Sequence, residues 1–331
     1  MPANLTPQYI DAEKKLRTAK TPQEKIEILE EMLALIPKHK GTEKLQAQHK
    51  SKLAKLREEI AKQPSVKHGL SHIIPKQGAG QVIVIGAPNT GKSMLIKSLT
   101  GAEPEVGDYP FTTHIPAPYM MKFENVRVQL IDLPPLTSDI MESWQVELIK
   151  VADAALIVVD LSNAEFPTLL ESLIAKLKEK RVEFAAEDYV PPEEGPGPPQ
   201  FKKRTLLVAN KKDLDAGGDH LETLKFFYEG QLAILPVSSL LGEGLEELKK
   251  RIFSILHVIR VYSKAPGKKP DHNEPFVLKR GSTVIDMARA VHKDFAEKLA
   301  YARLWRGEEY TGQMINRDFI LEDEDICELH I

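Results

Sequence analysis

Apolar residues fall into two rhythms along this chain. Between residues 26 and 60 they step by three and four. Ile26, Leu29, Leu33 and Ile36 share one helix face, and Leu45, Leu53, Leu56 and Ile60 share another. Thr21 ahead of Pro22, with Glu24 in the first turn, marks a helix start. "PKHKGT" (37–42) breaks the pattern, so the spacing predicts an αα-hairpin whose apolar faces pack on each other or on the next domain. From residue 81 the rhythm changes. "QVIVIG" (81–86), "VRVQLID" (126–132), "AALIVVD" (154–160), "TLLVAN" (205–210) and "LAILPVS" (232–238) read as buried strands with helical segments between them. That alternation predicts an α/β domain on a mostly parallel sheet.

Punctuation divides the chain. "KQGAG" (76–80) is a linker, and "YVPPEEGPGPPQFKK" (189–203) is too rich in proline to enter a core and reads as a surface loop. "GEGLEELKKRIFSIL" (242–256) closes the α/β unit as a helix. After a second linker, "SKAPGKKPDHNE" (263–274), the pattern predicts a strand, a turn, and a helix begun near Ser282. "FILEDEDICELHI" predicts a terminal hairpin with an acidic turn. The expected division is a helical hairpin region over 1–75, an α/β domain over 76–262 and a small α+β domain over 263–331.

Composition changes this picture little. A chain of 331 residues, 42% hydrophobic and 28% charged, suits two or three globular domains. No apolar run approaches the roughly 20 residues of a membrane-spanning helix. The N-terminus lacks the apolar core of a secretory signal, and Cys327 has no second cysteine to pair with. A cytoplasmic protein without a membrane partner is expected. The net charge of −3 hides an asymmetry: residues 1–75 carry 14 Lys/Arg against 9 Asp/Glu. A basic end suits a polyanion such as RNA, and equally a solvated helical face. Nothing in the pattern fixes an oligomeric state.

Candidate chemistry sits at the strand ends. "GAPNTGKS" (86–93) matches G-x-x-x-x-G-K-[ST], straight after a strand and opening a helix. Gly86 and Gly91 let the backbone curl so that N–H groups, those of Asn89 and Thr90 among them, point at phosphate oxygens. Lys92 would reach the β and γ phosphates, and Ser93 would ligate Mg²⁺. Asp132 is a further candidate for the metal, directly or through water. "NKKD" (210–213) resembles the guanine-reading N-K-x-D element of GTPases. The Asp213 carboxylate can accept from the ring N–H and the exocyclic amine of guanine, donors that adenine does not offer there. Asn210 would contact the base edge and Lys211 would cover the ring. "VSSLLGEGL" (237–245) resembles the last guanine loop, with Ser238 and Ser239 supplying polar contacts. The nucleotide expected is therefore GTP or GDP.

"GDYPFTTHIP" (107–116) resembles the Y-P-F-T-T segment of the Obg and developmentally regulated (DRG) GTP-binding proteins, where it is the switch that folds over the nucleotide. The resemblance covers nearly the whole chain and fits the DRG branch best. "KHKGTEKLQAQHKSKLAKLREEI" looks like that branch's N-terminal helical region; "LKRGSTVIDMARAVH" and "GQMINRDFILEDED" look like its C-terminal TGS domain, a β-grasp fold. The resemblance implies that Thr113 binds Mg²⁺ with its hydroxyl and the γ-phosphate with its backbone, with Thr112 as the alternative. His114 stands where the family usually has Leu or Ile. Asn89 resembles the P-loop asparagine that places K⁺ beside the phosphates, which implies K⁺-stimulated hydrolysis; the alternative is an asparagine that only shapes the loop. Two features depart from the family: there is no room for the extra domain of eukaryotic members, and the glycine-rich domain of Obg proteins is missing. The description is a prokaryote-type, TGS-containing DRG-like GTPase, from a family associated with ribosomes and translation.

"IDLPPL" (131–136) departs further. The family motif D-x-x-G reads Asp132-Leu133-Pro134-Pro135 here. Pro135 has no N–H to give the γ-phosphate, and Leu136 stands where classical GTPases have a water-orienting glutamine, although related GTPases also carry a hydrophobic residue there. A residue after Pro135 is an alternative donor. Two readings are open. One is a GTPase using Lys92, Thr113 and Asn89 with Mg²⁺ and K⁺, slow or partner-stimulated. The other is a nucleotide-bound scaffold that holds ribosome or RNA through its helical hairpin and TGS domain, with little turnover.

Overall fold

The apolar runs form the centre of a seven-stranded sheet in the computed structural model. The structure describes residues 74–101, 116–137, 141–191 and 201–331, with the helical pairs 28–29, 32–33 and 52–53. Leu29, Met32 and Leu53 are buried. The rest of the predicted helical hairpin, the Y-P-F-T-T segment with Thr112, Thr113 and His114, and most of the proline-rich loop lie outside the described residues.

The α/β unit runs β1 (Gln81–Ile85), α1 (Lys92–Thr100), β2 (Ala117–Phe123), β3 (Val126–Asp132), α2 (Ser143–Val151), β4 (Ala154–Asp160), α3 (Phe166–Glu179), β5 (Val182–Ala185), β6 (Phe201–Asn210), a short 3₁₀ turn (Lys212–Leu214), α4 (Asp219–Tyr228), β7 (Ala233–Pro236) and α5 (Leu245–Ile255). The sheet order is β2-β3-β1-β4-β6-β5, and β7 also pairs with β6. Only β2 against β3 is antiparallel. β1 and β4 are buried along their whole lengths because helices cover both faces, which is why they read as unbroken apolar runs. One core lies under α1 and α5, around Val82, Val84, Leu95, Leu156 and Leu248. The other lies under α2, α3 and α4, around Ile83, Ile85, Ile149, Leu170 and Leu224.

A second sheet has the order β11-β10-β12-β8-β9, from β8 (Val258–Ser263), β9 (Phe276–Lys279), β10 (Tyr301–Arg306), β11 (Tyr310–Ile315) and β12 (Asp325–His330). Helices α6 (Val284–Val291) and α7 (Lys293–Lys298) pack on one face around Met287, Ala288, Leu304 and Cys327. Thr283 caps α6 in a reciprocal pair with Asp286, one residue past the expected start at Ser282. β8 belongs to this sheet, so its first strand comes from residues ahead of 263. The expected terminal hairpin is not formed. β12 pairs with β10 and with β8 instead, because the residues before it spend their donors elsewhere: Leu321 N–H on Ser282 O at 2.9 Å and Glu322 N–H on Asp325 Oδ2 at 2.8 Å. Among the described residues, no helix is long and apolar enough to cross a membrane.

Candidate functional site

All the described candidates sit at the C-terminal ends of parallel strands, where open α/β sheets place their ligand crevices. β1 ends in the loop 86–91, and α1 begins at Lys92 with Gly91 as its cap in the left-handed region, φ 86°. A side chain at Gly91 would meet Asn210 Nδ2 at 2.5 Å. Glycine there lets the phosphate loop and the NKKD loop touch. Asn89, exposed at the tip, is also left-handed with φ 62°. The first turn of α1 carries no acidic residue, leaving its positive end open to an anion.

Lys92 is 6% exposed, and its ammonium donates to Gly86 O at 3.0 Å and Ala87 O at 2.9 Å. Burial pushes its pKa down to about 8, against the opposing pull of Asp132. Ser93 donates its hydroxyl to Asp132 Oδ2 at 2.9 Å. Asp132 Oδ1 is buried and has no hydrogen-bond partner. Burial raises the Asp132 carboxyl above the usual range, while Ser93 and Lys92 hold it back. A buried carboxylate oxygen without a donor costs free energy unless something electropositive meets it. A hydroxyl and a carboxylate side by side are the hard oxygen donors that Mg²⁺ takes. Ser93 and Asp132 therefore fit the ion. Elsewhere among the described residues, no group of three or more His, Cys, Asp or Glu could hold a metal.

The base-reading candidates form one network with the phosphate loop. Asn210 is 1% exposed; its Nδ2 donates to Thr90 O at 2.8 Å, and its Oδ1 accepts from Ser239 N–H at 3.1 Å and Ser239 Oγ at 2.6 Å. Ser238 is buried and its hydroxyl accepts from Leu241 N–H at 3.1 Å, tightening the loop. The 3₁₀ turn places Asp213, with Lys212 N–H donating to Val237 O at 3.1 Å. Lys211, at φ 61°, donates to Asp160 Oδ2 at 2.7 Å. Burial alone would raise the Asp160 carboxyl, but the bonds from Lys211 and Ser162 outweigh it and hold it low.

Two contributors were not foreseen. Asp160 ends the "AALIVVD" strand just as Asp132 ends its own, and that position was the available signal. Ser98 on α1 donates to Ser239 O at 2.8 Å; no local pattern marks it.

The "IDLPPL" stretch runs on beside β1. Leu133 N–H donates to Val84 O at 3.3 Å and Leu136 N–H to Gly86 O at 3.2 Å. Leu133 and Leu136 are buried in the second core, and Pro135 is exposed. The first donor after Pro135, the Leu136 N–H, is thus already engaged by the phosphate loop. Leu136 does not face the site; it anchors the strap to the core.

Comparison with known proteins agrees with this architecture. Residues 81–188 match the 50S ribosome-binding GTPase family, and residues 259–331 match the TGS domain. The uncharacterized GTP-binding protein MJ1326 of Methanocaldococcus jannaschii is 30% identical, with 93% of each chain covered. Developmentally-regulated G-protein 1 of Arabidopsis thaliana is 27% identical over 92% of this chain and 90% of its own. Ribosome-interacting GTPase 1 of Saccharomyces cerevisiae is 24% identical over 92% and 98%. In fold, a GTP-binding protein of Pyrococcus horikoshii superposes with a TM-score of 0.50 at 17% identity, covering 76% of this chain and 99% of that one. By its likeness over nearly its whole length to such relatives, the chain belongs to the DRG family of TGS-domain GTP-binding proteins.

Proposed function

We propose that the protein binds GTP and GDP with Mg²⁺ and hydrolyses GTP slowly, stimulated by K⁺ or by a partner. The observation that carries this is the joined site: Lys92, Ser93 and the unpartnered Asp132 oxygen on one side, Asn210 and Ser239 on the other, tied through Thr90 O. In this reading Gly86, Asn89, Thr90, Gly91, Lys92 and Ser93 hold the phosphates. Asn210, Lys211, Asp213, Ser238 and Ser239 hold guanine. Ser93, Asp132 and Thr113 hold the metal. Lys92 offsets phosphate charge, and in-line attack by water depends on positioning and charge. Asn89, exposed at the loop tip, holds K⁺. The protein works in the cytoplasm on or near the ribosome, with RNA or ribosomal protein met by the helical hairpin and TGS domain. The name of the yeast relative supports that partner.

Leu136 favours a second reading, a nucleotide-bound scaffold with little turnover, since its side chain is buried and its N–H is engaged. Single-turnover GTP hydrolysis with Mg²⁺, in K⁺ and then Na⁺ buffer, separates the two. Faster turnover in K⁺ supports the enzyme with a cation at Asn89. Tight binding without turnover in either buffer supports the scaffold.

A further inference from the structure

Arg260 of β8 points away from the core of its own sheet, yet it is 5% exposed. Its guanidinium meets three carboxylates. Nε and Nη2 donate to the two oxygens of Asp323 at 3.1 and 2.7 Å, and Nη2 also donates to Glu324 Oε1 at 3.0 Å. Nη1 donates to Glu124 and, at 3.4 Å, to Asn125 Oδ1. Asp323 and Glu324 belong to the acidic turn before β12. Glu124 and Asn125 are the turn of the β2–β3 hairpin. Asn125 Nδ2 also donates to the Tyr262 hydroxyl at 2.6 Å and to His272 O at 3.0 Å. Both turn residues are therefore committed to the C-terminal domain.

The other end of that hairpin is the nucleotide site. β2 and β3 pair without interruption from Phe123↔Val126 to Ala117↔Asp132, and β3 is also paired along β1. A ribbon registered along its whole length does not absorb a displacement locally. A shift at the turn reaches Asp132, about 20 Å away at the rise of a strand.

Glu124 is the carboxylate of the cluster that can leave without stranding Arg260. Glu124 is half-exposed, with 56% of its side chain open to water. If it swings out, Arg260 stays paired with Asp323 and Glu324, so the buried cation is not abandoned. Abandoning it would be costly; exchanging one of three carboxylates for water is not.

We propose that Arg260 is the pin of an interdomain latch, through which the C-terminal domain sets the position of Asp132 and so the grip of the phosphate site. This rests on the nucleotide-binding reading and adds its regulation. Coupling of this kind runs both ways: nucleotide tightens the latch, and a ligand of the C-terminal domain that draws Glu124 or the acidic turn away loosens nucleotide.

The test uses the full chain and two variants outside the nucleotide site, Glu124→Gln and Asn125→Ala. Release of methylanthraniloyl-GDP is followed across a range of Mg²⁺ concentrations. Amide exchange at residues 130–133 is measured without nucleotide. The latch predicts release on the order of fivefold faster in each variant, with a raised Mg²⁺ requirement and faster exchange at 130–133. It also predicts that GDP slows exchange at residues 321–326 in the unaltered protein. Unchanged release and unchanged exchange in both variants would overturn it and leave a static domain contact. If the unaltered protein does not retain the GDP analogue, the nucleotide reading fails, and the exchange arm still decides whether the turn governs Asp132.

Discussion

Pro135 changes a single donor, and its consequence can be stated at that scale. An N–H bonded to a phosphate oxygen contributes roughly 1.5–3 kcal/mol, which is about ten- to a hundredfold in affinity. Leu136 does not make up the loss, because its N–H is bonded to Gly86 O. Pro135→Gly should therefore raise the preference for GTP over GDP by about tenfold or more, read as the ratio of dissociation constants for a non-hydrolysable GTP analogue and GDP. An unchanged ratio would mean that this stretch never meets the γ-phosphate. Lys92 gives a second residue-level expectation. Its pKa of about 8 reflects burial that the pull of Asp132 only partly offsets; a bound polyphosphate raises it. The complex then holds a proton that the free protein has lost above pH 8. Nucleotide affinity should be flat below pH 8 and fall above it, by up to about tenfold per pH unit. Titrating GDP binding from pH 7 to 10 checks this. In Lys92→Met the fall that begins near pH 8 should vanish, leaving only the later fall that comes from titration of the guanine ring.

At the scale of elements, the joint between the phosphate loop and the NKKD loop depends on Gly91. An added methyl would meet Asn210 Nδ2 at 2.5 Å on a backbone at φ 86°. Gly91→Ala should lose about 1–3 kcal/mol of stability, the usual scale for such strain, and weaken GDP binding with it, read by thermal unfolding and calorimetry. The chemistry-bearing elements were legible in the sequence because each couples a buried strand to a short polar signal at its end. "QVIVIG" before Lys92, "VRVQLID" before Pro134 and "TLLVAN" before Lys211 are cases. The edge strand β2 and the interior strand β8 were not. β2 ("APYMMKF") buries only Met121 fully, so it leaves no apolar run. β8 ("VIRVYS") alternates Ile259 and Val261 inward with Arg260 and Tyr262, which are buried against the other domain. An arginine mid-strand conceals both the strand and its contact. Ser98 was hidden for a related reason: its role exists only once distant segments meet, whereas Asp160 had its strand-end position as a signal.

On the scale of the whole molecule, residues His72–Ile331 form one compact unit. The two sheets share more than the Arg260 contacts. Val258 and Val277 pack against the first core of the α/β unit, and the Phe253 ring of α5 lies 5.2 Å beneath the Arg260 guanidinium. α5 ends at Ile255 and β8 begins at Val258, so no long linker lets the second sheet drift. Cys327, the chain's single cysteine, reports on that union. It is fully buried in the C-terminal core, and burial, then Asp325, pushes its thiol up to about 12. Native protein should resist a thiol reagent and react only through opening. If the second sheet opens only with the α/β unit, ligand at the distant strand ends must protect this thiol. GDP with Mg²⁺ at a hundredfold over its dissociation constant adds about 2.7 kcal/mol to the folded state. Labelling of Cys327 should then slow by about a hundredfold. Labelling that ignores nucleotide would mean that the C-terminal domain opens by itself, with the shared packing too weak to bind the two sheets into one cooperative unit.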